Sequence, residues 1–297
     1  MVDPHYWHGK STVVLGASSG LGLEIAAQLF AAGANVTLAA RNLKALEAAR
    51  DAIVAKCPSI EADALQVAAA DLGDDQSTIE LFSRFSSLDA VFNAIGQSGR
   101  KAIADTSPAD FQQMWEVNFL TAVRAVRAAL PMLLASKGHF VQIGSLASKS
   151  ASRYLGAYPA TKFPLAAYFQ QLRLELQTNG LHPMLVCPGP IARNDAGQRY
   201  ANQTNDLPDS AKQPGGGVKV KAIAPDWLRK GFCKDASVGK RKLSFQQRQN
   251  SCLPSANCLP LGAILSSRRR PSLRRSPATR IRQFLLRCRI PISLSIG

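Results

Sequence analysis

Short β-type runs alternate with longer helical runs up to about residue 190, and this alternation restricts the fold more than any other feature. The strand candidates are Ser11–Leu15, Val36–Ala39, Leu65–Ala70, Ala90–Asn93, Phe140–Ile143 and Met184–Cys187. The helical candidates between them are residues 20–32, 43–54, 75–86, 108–135 and 156–178. Strands that alternate strictly with helices pair in parallel, and right-handed crossovers place helices on both faces. The sequence therefore predicts an α/β fold with a single doubly wound parallel sheet.

The positive charge of the chain is concentrated near its C-terminus. The formal net charge is +16, but residues 231–297 hold 14 Lys and Arg against a single acid. Four of the six cysteines lie in the same stretch, where the regular strand–helix pattern has stopped. We therefore predict one folded domain over residues 1–230 and an irregular, low-order basic tail over residues 231–297.

The sequence shows no sign of export, membrane insertion or metal binding. Residues 1–8 lack the basic-then-apolar pattern of a signal peptide, and no run approaches eighteen uninterrupted apolar residues. No Cys/His pair before residue 231 has the spacing of a zinc site. We expect a cytoplasmic protein with no metal and no membrane-spanning helix.

A glycine-rich turn joins the first strand to the first helix. Its candidate binding residues are Gly16, Ser18, Ser19, Gly20, Leu21 and Gly22. Glycines allow a sharp turn and a close approach to a pyrophosphate, while the helix N-terminus offers unpaired N–H groups. Glycines also serve ordinary tight turns, but the strand–turn–helix setting favours a dinucleotide site.

The end of the second strand indicates which dinucleotide binds. Enzymes that bind NAD place an acid there for the ribose hydroxyl, whereas NADP requires a cation. The strand ends in Ala40, Arg41 and Asn42, with no acid. Arg41 is able to form a forked contact with a 2′-phosphate, so NADP(H) is preferred over NAD(H); an ordinary solvated arginine is the alternative.

Tyr158 and Lys162 lie four residues apart in a predicted helix, thirteen residues after Ser145. At this spacing a phenol and an ammonium share one helix face. Because a nearby cation favours the phenolate, we expect the pKa of Tyr158 to be lowered from its usual value towards working pH. Tyr158 is then a candidate proton donor to a carbonyl oxygen.

Four further motifs complete an ordered series along the chain: Asp71–Leu72, Asn93–Gly96, Asn118 and Pro188–Ile191. In order and spacing the series resembles the classical short-chain dehydrogenase/reductase family, which has a Rossmann-type fold, over about residues 8–230. The resemblance implies an oxidoreductase that interconverts a carbonyl and a secondary alcohol with NADP(H). It also implies a small, hydrophobic substrate and a homodimer or homotetramer formed through residues 108–135 and 156–178.

The resemblance further implies roles for single residues. The catalytic set is Asn118, Ser145, Tyr158 and Lys162. Tyr158 is the general acid and base, Ser145 donates to the carbonyl oxygen, Lys162 bonds the nicotinamide ribose, and Asn118 holds a water on its backbone. The cofactor set is Gly16, Ser18, Ser19, Gly20, Leu21, Gly22, Arg41, Asn42, Asp71, Leu72, Asn93, Tyr158, Lys162, Pro188, Gly189 and Ile191.

Within the cofactor set, Asp71 is expected at the adenine amino group, Asn93 beside the adenosine ribose and Pro188–Ile191 around the nicotinamide. Two simpler roles stay open, because Asp71 is also a common helix-capping residue and Asn118 a possible satisfied core amide.

The chain departs from the family pattern at four positions. Leu15 precedes the glycine turn where a threonine is usual, and Ala94 and Ile95 replace the usual Asn-Ala. The second change removes a side chain that helps to stabilise the central sheet. Arg193 stands where a threonine often contacts the cofactor carboxamide, which weakens the expectation for nicotinamide positioning.

The tail leaves two interpretations open. A family member would continue past Leu228 into a helix and a seventh strand, which the basic residues 231–297 do not resemble. They reflect either a reading-frame shift near Gly231 or a real extension that contacts nucleic acid or anionic lipid. Without the last strand the sheet edge and pocket would be exposed. The alternative function is therefore a non-catalytic NADPH-binding or interaction protein.

Overall fold

The computed structural model describes residues 5–191, 200–213 and 215. Six strands lie within them: β1 Ser11–Leu15, β2 Asn35–Ala40, β3 Leu65–Ala69, β4 Ala90–Asn93, β5 His139–Ile143 and β6 His182–Val186. The α-helices of this part are α1 Gly20–Ala31, α2 Leu43–Val54, α3 Asp75–Ser83, α4 Pro108–Trp115, α5 Thr121–Ala135 and α6 Tyr158–Leu176. The predicted order of strands and helices is confirmed, with helix ends that shift by at most three residues.

The strands form one parallel sheet in the order β3-β2-β1-β4-β5-β6. The chain moves outwards from β1 to β3, then returns to β4 on the other side of β1. The predicted doubly wound sheet is therefore confirmed. In such a sheet ligands bind outside the carboxyl ends of the strands, at the point where the strand order reverses. Here that point lies between β1 and β4.

Each face of the sheet has its own hydrophobic core, as the alternation of side chains along a strand requires. In β1, Val13 and Leu15 belong to one core and Val14 to the other. The first core is completed by apolar residues of α3, α5 and α6. The second is completed by residues of α1 and α2. The helices on both faces thus bury the apolar sides that their sequences predict.

The N-terminal segment belongs to the core, which the sequence did not indicate. The Trp7 side chain is only 4% exposed and packs with the second core. Its ring centroid lies 5.6 Å from that of Phe92 and 6.3 Å from that of His139. The segment before β1 therefore covers part of the sheet rather than leading freely into it.

A π-helical turn, Glu116–Leu120, joins α4 to α5, so residues 108–135 form one continuous helical stretch. By length and composition alone this stretch is apolar enough to cross a membrane, although it holds no run of eighteen uninterrupted apolar residues, and the expected absence of a membrane-spanning helix stays a prediction. A core helix passes the same test, and Ala122, Ala125 and Ala129 are fully buried against the sheet. The predicted domain boundary at residue 230 and the tail, residues 231–297, lie outside the described residues.

Candidate active site

Four groups of predicted site residues follow the carboxyl ends of β1, β4, β5 and β6. The glycine turn comes after β1, the Asn93–Gly96 motif closes β4, Ser145 comes after β5, and Pro188–Ile191 comes after β6. Because the strands are parallel, all four groups lie at the same edge of the sheet. This edge includes the point where the strand order reverses.

The glycine turn has the geometry that its residues predict. Gly16 and Gly20 have φ angles of +78° and +59°, which an L side chain rarely adopts. The Gly16 N–H donates to the Ala39 carbonyl at 2.8 Å, which fixes the turn against β2. A Cβ atom on Gly22 would clash with the Gly16 carbonyl oxygen, so only glycine allows α1 to begin this close. Ser19 precedes α1 without a side-chain capping bond, and the N–H groups of the first turn suit a pyrophosphate.

The two residues after β2 differ in what they do. Asn42 caps α2, because its side-chain oxygen accepts from the Ala45 N–H at 3.0 Å. Arg41 is exposed and forms no hydrogen bond or ion pair with another described residue. Its guanidinium is therefore available to a phosphate, whereas the Asn42 side chain is already used by the helix.

Asp71 and Leu72 follow β3 and also point to different roles. The Asp71 carboxylate accepts from the Gly73 N–H at 2.9 Å, so it supports its own loop while it stays exposed. The Leu72 side chain is 2% exposed and packs into the first core. Only Asp71 thus has a side chain that is available to an adenine.

Asn93 ends β4, as expected, and its side chain forms hydrogen bonds within the protein. It is fully buried, donates to the Gln142 side chain at 2.9 Å, and accepts from the Ile95 N–H at 3.0 Å. These two bonds leave one N–H and one lone pair of the amide unused, and the place of Asn93 beside the adenosine ribose stays a prediction. The bond to Gln142 links β4 to β5, and it provides a cross-strand amide contact despite the alanine at position 94.

Asn118 lies in the π-helical turn and is fully buried. Its side-chain oxygen accepts from the Gln97 N–H at 2.9 Å, and its amide donates to the Gln97 carbonyl at 2.9 Å and to Thr161 Oγ1 at 3.1 Å. The side chain is therefore a satisfied core amide that ties the loop after β4 to α6. Its backbone water stays a prediction; π-helical turns occur often at functional sites.

Ser145, Tyr158 and Lys162 come together at this edge. The Ser145 hydroxyl accepts from the Ala147 N–H at 3.1 Å and shares a hydrogen bond with the Tyr158 phenol. Lys162 is 2% exposed, and its Nζ lies 5.8 Å from the centroid of the Tyr158 ring. A Cβ atom on Gly96 would lie 2.8 Å from this Nζ, so the missing side chain leaves room for the ammonium.

The pKa of Tyr158 differs from the sequence-based expectation. Burial of the phenol raises this pKa above 10.0, although the hydrogen bond with Ser145 and the charge of Arg100 oppose the rise. Lys162 is not among the groups that lower it. Burial also lowers the pKa of Lys162 from 10.5 to about 8, so its protonated, positively charged form is less favoured than in water. The expected lowering by Lys162 is therefore wrong for this state, because desolvation of the phenol outweighs the groups that favour the phenolate and Lys162 is not one of them.

One group near the site has no counterpart among the predicted residues. Arg100, in the loop after β4, is 6% exposed, and its guanidinium stacks on Tyr200 at 4.1 Å from the ring centroid. An isolated arginine in a loop carries no sequence pattern, and Tyr200 is a hundred residues away along the chain. Only the fold brings them together.

Some expectations fall on residues that the structure does not describe. Arg193 and part of the predicted substrate loop, residues 192–199, 214 and 216–218, lie outside the described residues, whereas Tyr200–Gln213 is described. Among the described residues, no group of three or more His, Cys, Asp or Glu side chains is placed to hold a metal ion. The absence of a metal from the whole protein stays a prediction.

Comparison with known proteins finds a matching family and relatives that are similar in sequence. A family described as short chain dehydrogenase matches residues 10–204. The chain is 33% identical over 195 residues to a bovine (Bos taurus) "Dehydrogenase/reductase SDR family member 7B", which covers 64% of this chain and 60% of that protein. It is 34% identical over 208 residues to a Xenopus tropicalis "Hydroxysteroid 11-beta-dehydrogenase 1-like protein", covering 68% and 71% of the two chains.

Among solved structures, an L-sorbose reductase from Gluconobacter frateurii, complexed with NADPH and L-sorbose, is similar to this chain. Its TM-score is 0.66 at 23% identity, with 78% of this chain and 91% of that chain covered. This similarity concerns the fold.

Proposed function

The chain belongs to the short-chain dehydrogenase family, and on this basis we propose that it is an oxidoreductase that interconverts a carbonyl and a secondary alcohol. The observation that carries the proposal is the placement of Ser145, Tyr158 and Lys162 together at the carboxyl edge of the sheet, beside the glycine turn. The chain covers 60% of the bovine relative and 71% of the Xenopus relative. The proposed activity therefore rests on the three site residues and not on the activities of those proteins.

In the direction of reduction, Tyr158 donates its phenolic proton to the carbonyl oxygen, and in oxidation it takes the proton back. Ser145 donates a hydrogen bond to the same oxygen as negative charge develops there. The cation of Lys162 favours this charge separation in a site from which water is largely excluded. Asn118 holds the loop after β4 against α6 and so keeps these groups in position.

A nicotinamide dinucleotide, when bound, supplies the hydride. The glycine turn, with its positive φ angles and the close contact between Gly22 and Gly16, fits the pyrophosphate of such a group. We propose that NADP(H) is preferred because the exposed Arg41 guanidinium is the cation next to β2, where no acid stands. Replacement of Arg41 by alanine should weaken NADPH binding and leave NADH binding nearly unchanged, as measured by fluorescence titration.

The function is tested by Tyr158→Phe in an NADPH-consumption screen over ketones, aldehydes and 3-oxoacyl thioesters. We expect turnover to fall by about 10²–10⁴-fold while NADPH binding is retained, because the change removes only the transferable proton. Tyr168→Phe is the matched control, since Tyr168 lies on the same helix and packs against Phe119. Unchanged turnover in Tyr158→Phe would dismiss the assignment. NADPH binding by the unaltered protein without turnover of any tested compound would favour the non-catalytic alternative.

Three further properties stay proposals. A cytoplasmic location and a hydrophobic substrate rest on the sequence. Association into a homodimer or homotetramer is supported by exposed apolar side chains on the two helical stretches concerned, Trp115, Phe163 and Leu174. Light scattering coupled to size-exclusion chromatography would measure the number of subunits.

A further inference from the structure

The Arg100 side chain binds a segment that is distant in sequence. Its Nε donates to the Ala211 carbonyl at 2.7 Å, and its Nη2 donates to the Gln213 carbonyl at 3.3 Å. Its Nη1 donates to the carbonyl of the adjacent Gly99 at 3.0 Å. A planar guanidinium is suited to several fixed carbonyl acceptors at once, which a lysine ammonium cannot satisfy in the same geometry.

Residues on either side of Arg100 strengthen this contact. The Ser98 and Tyr200 hydroxyls are hydrogen-bonded to each other. The Arg100 N–H donates to the Gln203 side chain at 2.9 Å. Thr204 is 2% exposed and Ala211 is fully buried. The Tyr200–Gln213 segment is thus packed against the loop after β4 rather than lying on the surface.

The same loop also holds the start of the catalytic helix. The Lys101 N–H donates to the Tyr154 carbonyl at 3.1 Å, and the Gly156 N–H donates to the Lys101 carbonyl at 3.1 Å. Tyr154 has a φ angle of +59°, a conformation that a bulky residue keeps only when its surroundings hold it. These bonds end two residues before Tyr158, at which α6 begins.

We propose that Arg100 is a positioning residue for the reaction: it fixes the Tyr200–Gln213 segment as a wall of the substrate pocket, on the loop that anchors the start of α6. The inference rests on the proposed function and adds to it the residue that determines which substrates fit. Arg100 contributes through this segment and through its charge, and it takes no part in proton transfer.

The charge of Arg100 gives the proposal a second readout. The titratable or charged groups that act on the Tyr158 phenol are Arg100, Tyr200 and Cys187, while Lys162 lies close to its ring. Burial dominates and raises the pKa of Tyr158, and among these charges that of Arg100 lowers it. Loss of the Arg100 charge should therefore raise this pKa further. The activity profile would then move to higher pH, on its alkaline limb in reduction and on its acidic limb in oxidation.

The test compares Arg100→Met, which removes both the charge and the hydrogen bonds, with Arg100→Lys, which keeps the charge alone. We expect Arg100→Met to raise the KM for the carbonyl substrate at least about tenfold and to move the pH profile upwards. Arg100→Lys should raise KM without moving the profile. Both should bind NADPH normally, and Arg50→Met, on the surface of α2, should match the unaltered protein. An unchanged KM and pH profile in Arg100→Met would overturn the proposal.

Hydrogen exchange separates this inference from the proposed function, because it does not require turnover. Backbone amides of residues 200–213 should exchange faster in Arg100→Met than in Arg50→Met, whether or not a substrate is found. Equal exchange in the two variants would refute the inference even in an active enzyme. If Arg100→Met does not fold, Arg100→Lys carries the exchange measurement, because it removes the guanidinium bonds to the Ala211 and Gln213 carbonyls. It should speed exchange of residues 200–213 without moving the pH profile, and exchange equal to that of Arg50→Met would equally refute the proposal.

Discussion

The two ends of the same sheet both carry polar groups that are buried or partly buried, but the contacts of these groups differ. At the amino ends of the strands, Lys10 pairs with Asp89 at 2.9 Å and the Tyr6 hydroxyl bonds His139 at 2.7 Å. At the carboxyl ends, the ammonium of Lys162 is buried without an ion pair to any described carboxylate. Buried polar residues alone therefore do not mark a site. A buried cation that costs stability and forms no ion pair with a described carboxylate marks a site more clearly.

The largest expected effect is at the carboxyl end. Lys162→Met should reduce turnover by at least about 10²-fold, because the positive charge beside Tyr158 is lost. It should also stabilise the fold at pH 7 by up to about 3 kcal/mol, since burial lowers the pKa of Lys162 from 10.5 to about 8. Initial rates and denaturant unfolding of both proteins measure these changes.

The stability cost of burying Lys162 depends on pH in a definite direction. A folded-state pKa below the unfolded value means that the cost of burial is complete below about pH 8 and disappears as the pH rises towards 10.5. The stability advantage of Lys162→Met should shrink over that window. A variant that is less stable than the original at pH 7 would show that Lys162 holds the fold together, and the contrast between the two ends would be lost.

The second effect is at the amino end and concerns stability alone. Burial, together with the charges of His182 and Lys10, lowers the pKa of His139 from its usual 6.5 to about 4. The unfolded chain therefore binds more protons between these values, so stability is complete above pH 6.5 and is lost as the pH falls. The loss at pH 5 should be about 2 kcal/mol. Heat denaturation at pH 7 and pH 5 measures it.

His139→Gln should flatten this dependence, because the amide keeps a partner for Tyr6 and does not titrate. Turnover at pH 7 should match that of the unaltered protein, as His139 lies at the opposite end of the sheet from Tyr158. A loss of turnover with normal stability would mean that the two ends are coupled.

The smallest effect is expected at neither end. Lys137 follows α5 with a φ angle of +53°, and the bonds of Lys137 and Gly138 to Leu134 and Leu133 close the helix. Lys137→Gly should remove strain and stabilise the fold by no more than about 1 kcal/mol, without a change in activity. Urea unfolding checks the first point and initial rates the second. A larger change in either would contradict a purely local role.

Sequence patterns predicted the sheet, the helices and the glycine turn because each depends on neighbouring residues. The alternation of Val13, Val14 and Leu15 between two cores needs only the period of a strand. The position of Tyr158 and Lys162 on one face needs only the period of a helix. Such local rules carry most of the fold.

What the sequence did not indicate depends on contacts between distant residues. The Asn93 side chain is hydrogen-bonded to Gln142, forty-nine residues away. The Arg100 side chain is hydrogen-bonded to a segment more than a hundred residues away. The pKa of Tyr158 was misjudged for the same reason, because the spacing of two residues contains no information on how deeply the fold buries them.

The burial of Trp7 has a consequence for the order in which the protein is made. Its partners Phe92 and His139 leave the ribosome long after it, His139 132 residues later. At translation rates of about 5–20 residues per second, this delay is roughly ten seconds. An indole that is finally 4% exposed waits about that long for these aromatic partners, so the segment before β1 is among the last to reach its final packing.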